Sequence, residues 1–158
     1  MRDSRPMIDL KHIVLLSAIL MSGFGPGIAS AALGEPEASV TADVAQLKGS
    51  IKVTDRTSYR VHEIQLSSGT LVREFAGLDG KVFAIAWRGP TVPNLRQILG
   101  QYFDTYVAAA KAKHHGHTRL QIQQSDLVVQ AGGHMRAFSG RAYLPQAVPG
   151  GVSVGDLH

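Results

Sequence analysis

The stretch VFAIAWRGPTVPNLRQILGQYF, residues Val82 to Phe103, decides the fold. Its first six residues, Val82 to Trp87, are all apolar. A run so short, closed by turn residues, reads as a central strand buried on both faces. Alternation puts Phe83, Ile85 and Trp87 on one side and the smaller Val82, Ala84 and Ala86 on the other. Arg88-Gly89-Pro90 ends the strand, and Thr91 reads as the cap of a helix with Pro93 in its first turn. Apolar residues then recur at Leu95, Ile98, Leu99, Tyr102, Phe103, Tyr106 and Val107, one stripe along a long amphipathic helix. Gly100 sits at the edge of that stripe, where a missing side chain would let the helix approach the sheet.

Working outward, the pattern before the central strand has period two. Tyr59 and Val61 share one phase and Ile64 and Leu66 the other, which predicts a bulge or a twist near His62-Glu63. Ser67-Ser68-Gly69 marks a turn, Thr70 to Phe75 a strand, and Asp79-Gly80 a hairpin. Beyond the helix, Leu120 and Ile122 alternate with polar residues, Ser125-Asp126 turns the chain, and Leu127 to Gln130 forms a strand. Gly132-Gly133 reads as a turn and Met135 to Leu144 as a last strand, with Gly140 at a bulge or close approach. Upstream, Pro36 and the helical spacing of Val40, Val44 and Leu47 predict a short helix. The expected fold is α+β, in the order α-βββ-α-βββ. An antiparallel sheet of about six strands carries one long amphipathic helix across a face.

The first thirty-one residues read as a cleavable signal peptide. Arg2, Arg5 and Lys11 supply positive charge, diluted by Asp3 and Asp9; translation from Met7 would leave a shorter leader. The apolar run from Ile13 to Met21 is broken by Gly23, Gly25, Pro26 and Gly27. Ala29-Ser30-Ala31 then fits a small-residue cleavage site, placing the cut before Ala32. The run is shorter than the ~20 apolar residues a spanning helix needs. The reading is therefore an exported bacterial protein, periplasmic or secreted. Residues 32–144 would form one domain and 145–158 an irregular Pro/Gly-rich tail. The chain has no cysteine, which excludes lipid attachment at the N-terminus, thiol catalysis and thiolate metal sites. The formal net charge is +4, with basic residues scattered rather than clustered, so the sequence gives no case for nucleic acid.

Ala32-Leu33-Gly34, the block Val82 to Phe103 and Gly132 to Pro145 (GGHMRAFSGRAYLP) together resemble the bacterial family domain of unknown function 2844. The resemblance covers essentially the whole chain after the leader. It implies a short exported protein of one domain, and carries over no activity and no catalytic residue.

The residues therefore have to supply the functional candidates. Trp87, Arg88, Asn94 and Arg96 surround the corner between the central strand and the helix, where amide donors and two guanidinium groups can meet an anion. His134, Arg136 and Arg141 follow the paired glycines and extend that surface. The leading expectation is a non-catalytic module that binds an envelope protein or a small anionic ligand. The alternative is a small hydrolase or isomerase using His134 with an acidic partner such as Glu63, Glu74 or Asp126. No phosphate-loop, dinucleotide or nucleophile-elbow motif is present, and no cofactor is expected. His114, His115 and His117 form a weak candidate metal site, because three imidazoles on one short segment lack ligands from a second element. Calorimetric titration with zinc and copper decides this: chelation by these histidines requires a signal in the wild type that is lost when all three become alanine.

Overall fold

The computed structural model describes residues 32–40, 49–112 and 119–158. Seven strands form one sheet: β1 (Ser50–Asp55), β2 (Tyr59–Gln65), β3 (Leu71–Gly77), β4 (Val82–Gly89), β5 (Arg119–Gln123), β6 (Val128–His134) and β7 (Ala137–Tyr143). Their order is β1-β2-β3-β4-β7-β6-β5, and every pairing is antiparallel. Helices α1 (Leu95–Leu99) and α2 (Phe103–Ala112) lie between β4 and β5 in the chain. Among the described residues no helix is long and apolar enough to cross a membrane.

The α+β class stands, and β4 is central as expected, buried at every position from Val82 to Trp87. The strand count rises from about six to seven because β1 escapes the sequence pattern. It is an edge strand, mostly exposed on both faces, with Ile51 and Val53 themselves 38% and 48% exposed. A strand that buries so little carries no clear hydrophobic alternation.

The bulge expected near His62-Glu63 is absent, and the sheet carries one elsewhere. β2 pairs without interruption from Tyr59 to Gln65, and its change of phase reflects cover on both faces: Val61, His62 and Ile64 are all buried. The irregularity lies on β4, where Phe75 pairs with Ala84 and Ala76 with Val82, leaving Phe83 as the extra residue. This overturns the expectation that Phe83 points with Ile85 and Trp87. Ile85 and Trp87 join Ile98, Leu99 and Val129 in the core beneath the helices, whereas Phe83 joins Val61, Phe75 and Leu157 on the opposite face. An inserted residue reverses the alternation of everything before it.

The helical segment is also interrupted. A 3-10 turn, Gly100–Tyr102, separates α1 from α2. Gly100 has φ +51, and a Cβ there would come within 2.4 Å of the Ala32 Cβ. Its missing side chain therefore admits the N-terminal arm rather than the sheet. Asn94, not Thr91, caps α1 by accepting from the Gln97 amide, while Thr91 bonds to Thr70. The arm runs between helix and sheet: the Leu33 amide donates to the Ile98 carbonyl, and the Gly34 amide to the Val82 carbonyl. It passes into a 3-10 turn, Glu37–Ser39; Val44 and Leu47 of the predicted first helix lie outside the described residues.

Glu37 ties the arm to β2. One carboxylate oxygen accepts from Arg60 Nη1 at 2.8 Å and from His62 Nε2 at 2.7 Å; Asp55 shares Arg60, and Glu74 sits opposite His62 in the ladder. Burial alone would raise the Glu37 pKa, but the two hydrogen bonds outweigh it and hold the carboxyl below its ordinary value of 4.5. Because the folded value is the lower one, the stabilisation is present above pH 4.5 and lost as pH falls through the folded pKa. Glu37→Gln should cost roughly 1–2 kcal/mol near neutrality. In urea unfolding followed across pH, the gap between wild type and variant should close in acid; a gap independent of pH would refute the clamp.

Candidate functional site

The sheet has two faces, and the helices and the arm cover more of one than the tail covers of the other. α1, α2 and the arm cover the face bearing Ile64, Val72, Ile85, Trp87 and Val129. On the other face the chain after β7 folds back over the middle of the sheet. It contains 3-10 turns at Pro145–Ala147 and Val154–Asp156, and it buries Leu157 beside Phe75 and Phe83. Tyr59, Phe75 and Phe83 form an aromatic cluster there, with ring centroids 5.9 to 6.3 Å apart. Two arginines hold this tail by its backbone. Arg73 donates to the main-chain oxygen of His158 at 2.6 Å and Arg141 to the Val154 carbonyl.

The tail stops short of the outer strands, and the uncovered part of β4, β7, β6 and β5 forms an open groove of about 970 Å³. Its lining contains Arg73, Arg88, Arg119, Arg136 and Arg141 and, among the described residues, no aspartate or glutamate. Five of the chain's sixteen lysines and arginines thus meet on one surface, and none of the described aspartates and glutamates lines it.

Strand register explains the placement. Residues directly opposite one another share a face. One row across the sheet reads Arg73, Ala86, Arg141, Gln130 and Gln121. The next reads Leu71, Arg88, Ser139, Gly132 and Arg119. In the second row Arg88 and Arg119 therefore flank the small residues Ser139 and Gly132, and Arg141 stands in the middle of the first. Arg73 also pairs with Glu63 at 2.7 Å, which holds the Glu63 carboxyl below its usual range, and Arg141 donates to Gln130 at 2.8 Å. The guanidinium groups of Arg88, Arg119 and Arg136 enter no ion pair or hydrogen bond among the described residues. They are free to meet a ligand.

The turn that presents Arg136 differs from the expected one. Gly132 and Gly133 lie inside β6, and the chain reverses at Met135-Arg136, with His134 paired to Ala137. A Cβ on Gly133 would come within 2.3 Å of the Ala137 carbonyl oxygen, so glycine permits close strand crossing here rather than a turn. Arg136 adopts φ 64, a left-handed conformation uncommon outside glycine.

The sequence candidates thus divide. Arg88, Arg136 and Arg141 converge on the groove, joined by Arg73 and Arg119, which sequence reasoning missed. Trp87 is 3% exposed and packs into the core beneath the helices. Asn94 is engaged as a cap, and Arg96 lies over the Phe103 ring, 4.3 Å from its centroid. His134 does not line the groove; its Nδ1 is 3.4 Å from the Met135 carbonyl oxygen, and no carboxylate pairs with it among the described residues. The acid–base alternative therefore lacks its partner in this geometry. Among the described residues no group of three or more side chains is placed to hold a metal, and His114, His115 and His117 lie outside them.

Residues 29–157 match the model of a family described as protein of unknown function (DUF2844). The chain belongs to this family. No curated protein and no solved structure matches it. In this DUF2844 protein, the groove and the core are joined through Gly140 and Trp87. A Cβ on Gly140 would lie 2.2 Å from the Trp87 Cζ2. Gly140→Ala should therefore push the indole out of place and cost about 1–3 kcal/mol by overpacking. A lowered melting temperature with a changed near-ultraviolet signal from this single tryptophan is expected; unchanged values would show that the strand yields freely.

Proposed function

We propose that this protein is an exported, non-catalytic binding module that captures an anionic ligand in the cell envelope through its arginine groove. The observation that carries this reading is five arginines lining one open surface with no aspartate or glutamate among its described lining residues. Three of them are uncommitted, and a guanidinium presents a planar fork that pairs bidentately with carboxylate or phosphate. The floor of Ala86, Gly132 and Ser139 brings a ligand close to the backbone. Export is supported by the leader pattern from Ile13 to Ala31.

Single exposed ion pairs contribute only about 0–1 kcal/mol each. Appreciable affinity here must come from several arginines acting together, and it must fall with salt. The test is elution from a phosphate-bearing resin in a salt gradient. Replacing Arg88, Arg119 and Arg136 together with glutamine should move elution to clearly lower salt without changing the melting temperature. A matched variant with Lys52, Lys81 and Lys111 replaced by glutamine loses equal charge elsewhere and should elute close to the wild type. Equal shifts in both variants would overturn the groove as the binding site.

A further inference from the structure

We infer that the ligand of this groove is an extended acidic oligosaccharide, lying across the strands with carboxylates held by Arg88 at one end and Arg119 at the other. The inference rests on the anion-binding reading and adds the shape and chemistry of the ligand. Its first support is spacing. Arg88 and Arg119 occupy the same row of the sheet but are separated by Ser139 and Gly132, three strand intervals in all. At about 4.8 Å per interval their backbones stand roughly 14 Å apart. A compact anion between them would draw both side chains inward over an empty floor and away from water. A ligand with charges at separated points meets each where it stands.

The second support is what lies between the charges. Ser139 is in the same row, and Gln130 and Gln121 are in the adjacent one. Gln130 already accepts from Arg141 through its side-chain oxygen, which leaves its amide hydrogens as donors. Neutral donors and acceptors set between cations match hydroxyl groups set between carboxylates. The third support is the floor. Gly132 and Ser139 face each other across β6 and β7, so the centre of the groove is shallow backbone, flat enough for a sugar ring. Arg136 stands beyond this row at the hairpin tip, where a longer chain would continue.

An extended ligand also answers the weakness of each contact. Linking separate anions makes the second binding event intramolecular, and the combined affinity exceeds that of either contact by orders of magnitude. Isothermal titration of the full-length protein with galacturonate oligomers reads this directly. From dimer to hexamer the affinity should rise by about tenfold or more. Arg88→Gln or Arg119→Gln should each return the hexamer to about the affinity of the dimer, with melting temperatures unchanged. Arg119→Lys, which keeps charge but loses the fork, should fall between. Neutral maltohexaose should not bind. Equal affinity for dimer and hexamer would overturn the extended ligand, as would tighter binding of tripolyphosphate than of the hexamer. If either result still depended on Arg88 and Arg119, the anion groove itself would stand. Failure of every anion to bind would overturn both.

Discussion

The fold depends on a strand that must be covered on both sides. β4 is buried without interruption from Val82 to Trp87, and its bulge at Phe83 sends large side chains to both faces of the sheet. Burying an aromatic or branched aliphatic side chain contributes about 1.5–3 kcal/mol, so neither face can be left to water at the centre. The helices and the N-terminal arm cover one side. The tail covers the other, with Leu157 packed against Phe83 and its neighbours. A regular β4 would put Phe83 under the helices and remove the apolar anchor around which the tail is organised.

Electrostatics hold the two covers in place by different means. The arm is fixed by a carboxylate, Glu37, placed between Arg60 and His62. The tail is fixed by cations, Arg73 and Arg141, that bond main-chain oxygens of His158 and Val154. The Val154 carbonyl satisfies the Arg141 guanidinium without neutralising it. The tail therefore orders Arg73 and Arg141 at the groove's inner edge while leaving the charge of Arg141 uncompensated. The structural role of these two residues and the cationic character of the groove are the same arrangement seen from two sides.

What the sequence reveals follows from the range of each interaction. The central strand, the helical stripe, the turns at Ser67-Ser68-Gly69 and Ser125-Asp126, and the α+β class all rest on local pattern, and each is present. β1 was missed because an exposed edge strand buries too little to show a period. Phe83 was placed on the wrong face because a bulge is decided by the partner strand. Gly132-Gly133 imitates a turn because a glycine needed for close strand approach looks like one needed for chain reversal. The site was half legible: Arg88, Arg136 and Arg141 were named on local grounds. Arg73 and Arg119 were not, since only the register from β3 to β5 brings them into the same rows, and no local signal encodes it.

That register is also what makes the groove a surface rather than a scatter of charges. Arg73, Arg88, Arg119 and Arg141 come from four strands, and their positions in sequence span 73 to 141. A one-residue slip at β7 would turn Arg141 toward the helices and bring Gly140 or Ala142 to the groove face. Gly140 resists that slip. It gives the Trp87 indole clearance that a Cβ would remove, so the core favours this register of β7 against β4. The cationic rows follow from that packing: the large ring on one side of the sheet determines where the guanidinium groups stand on the other.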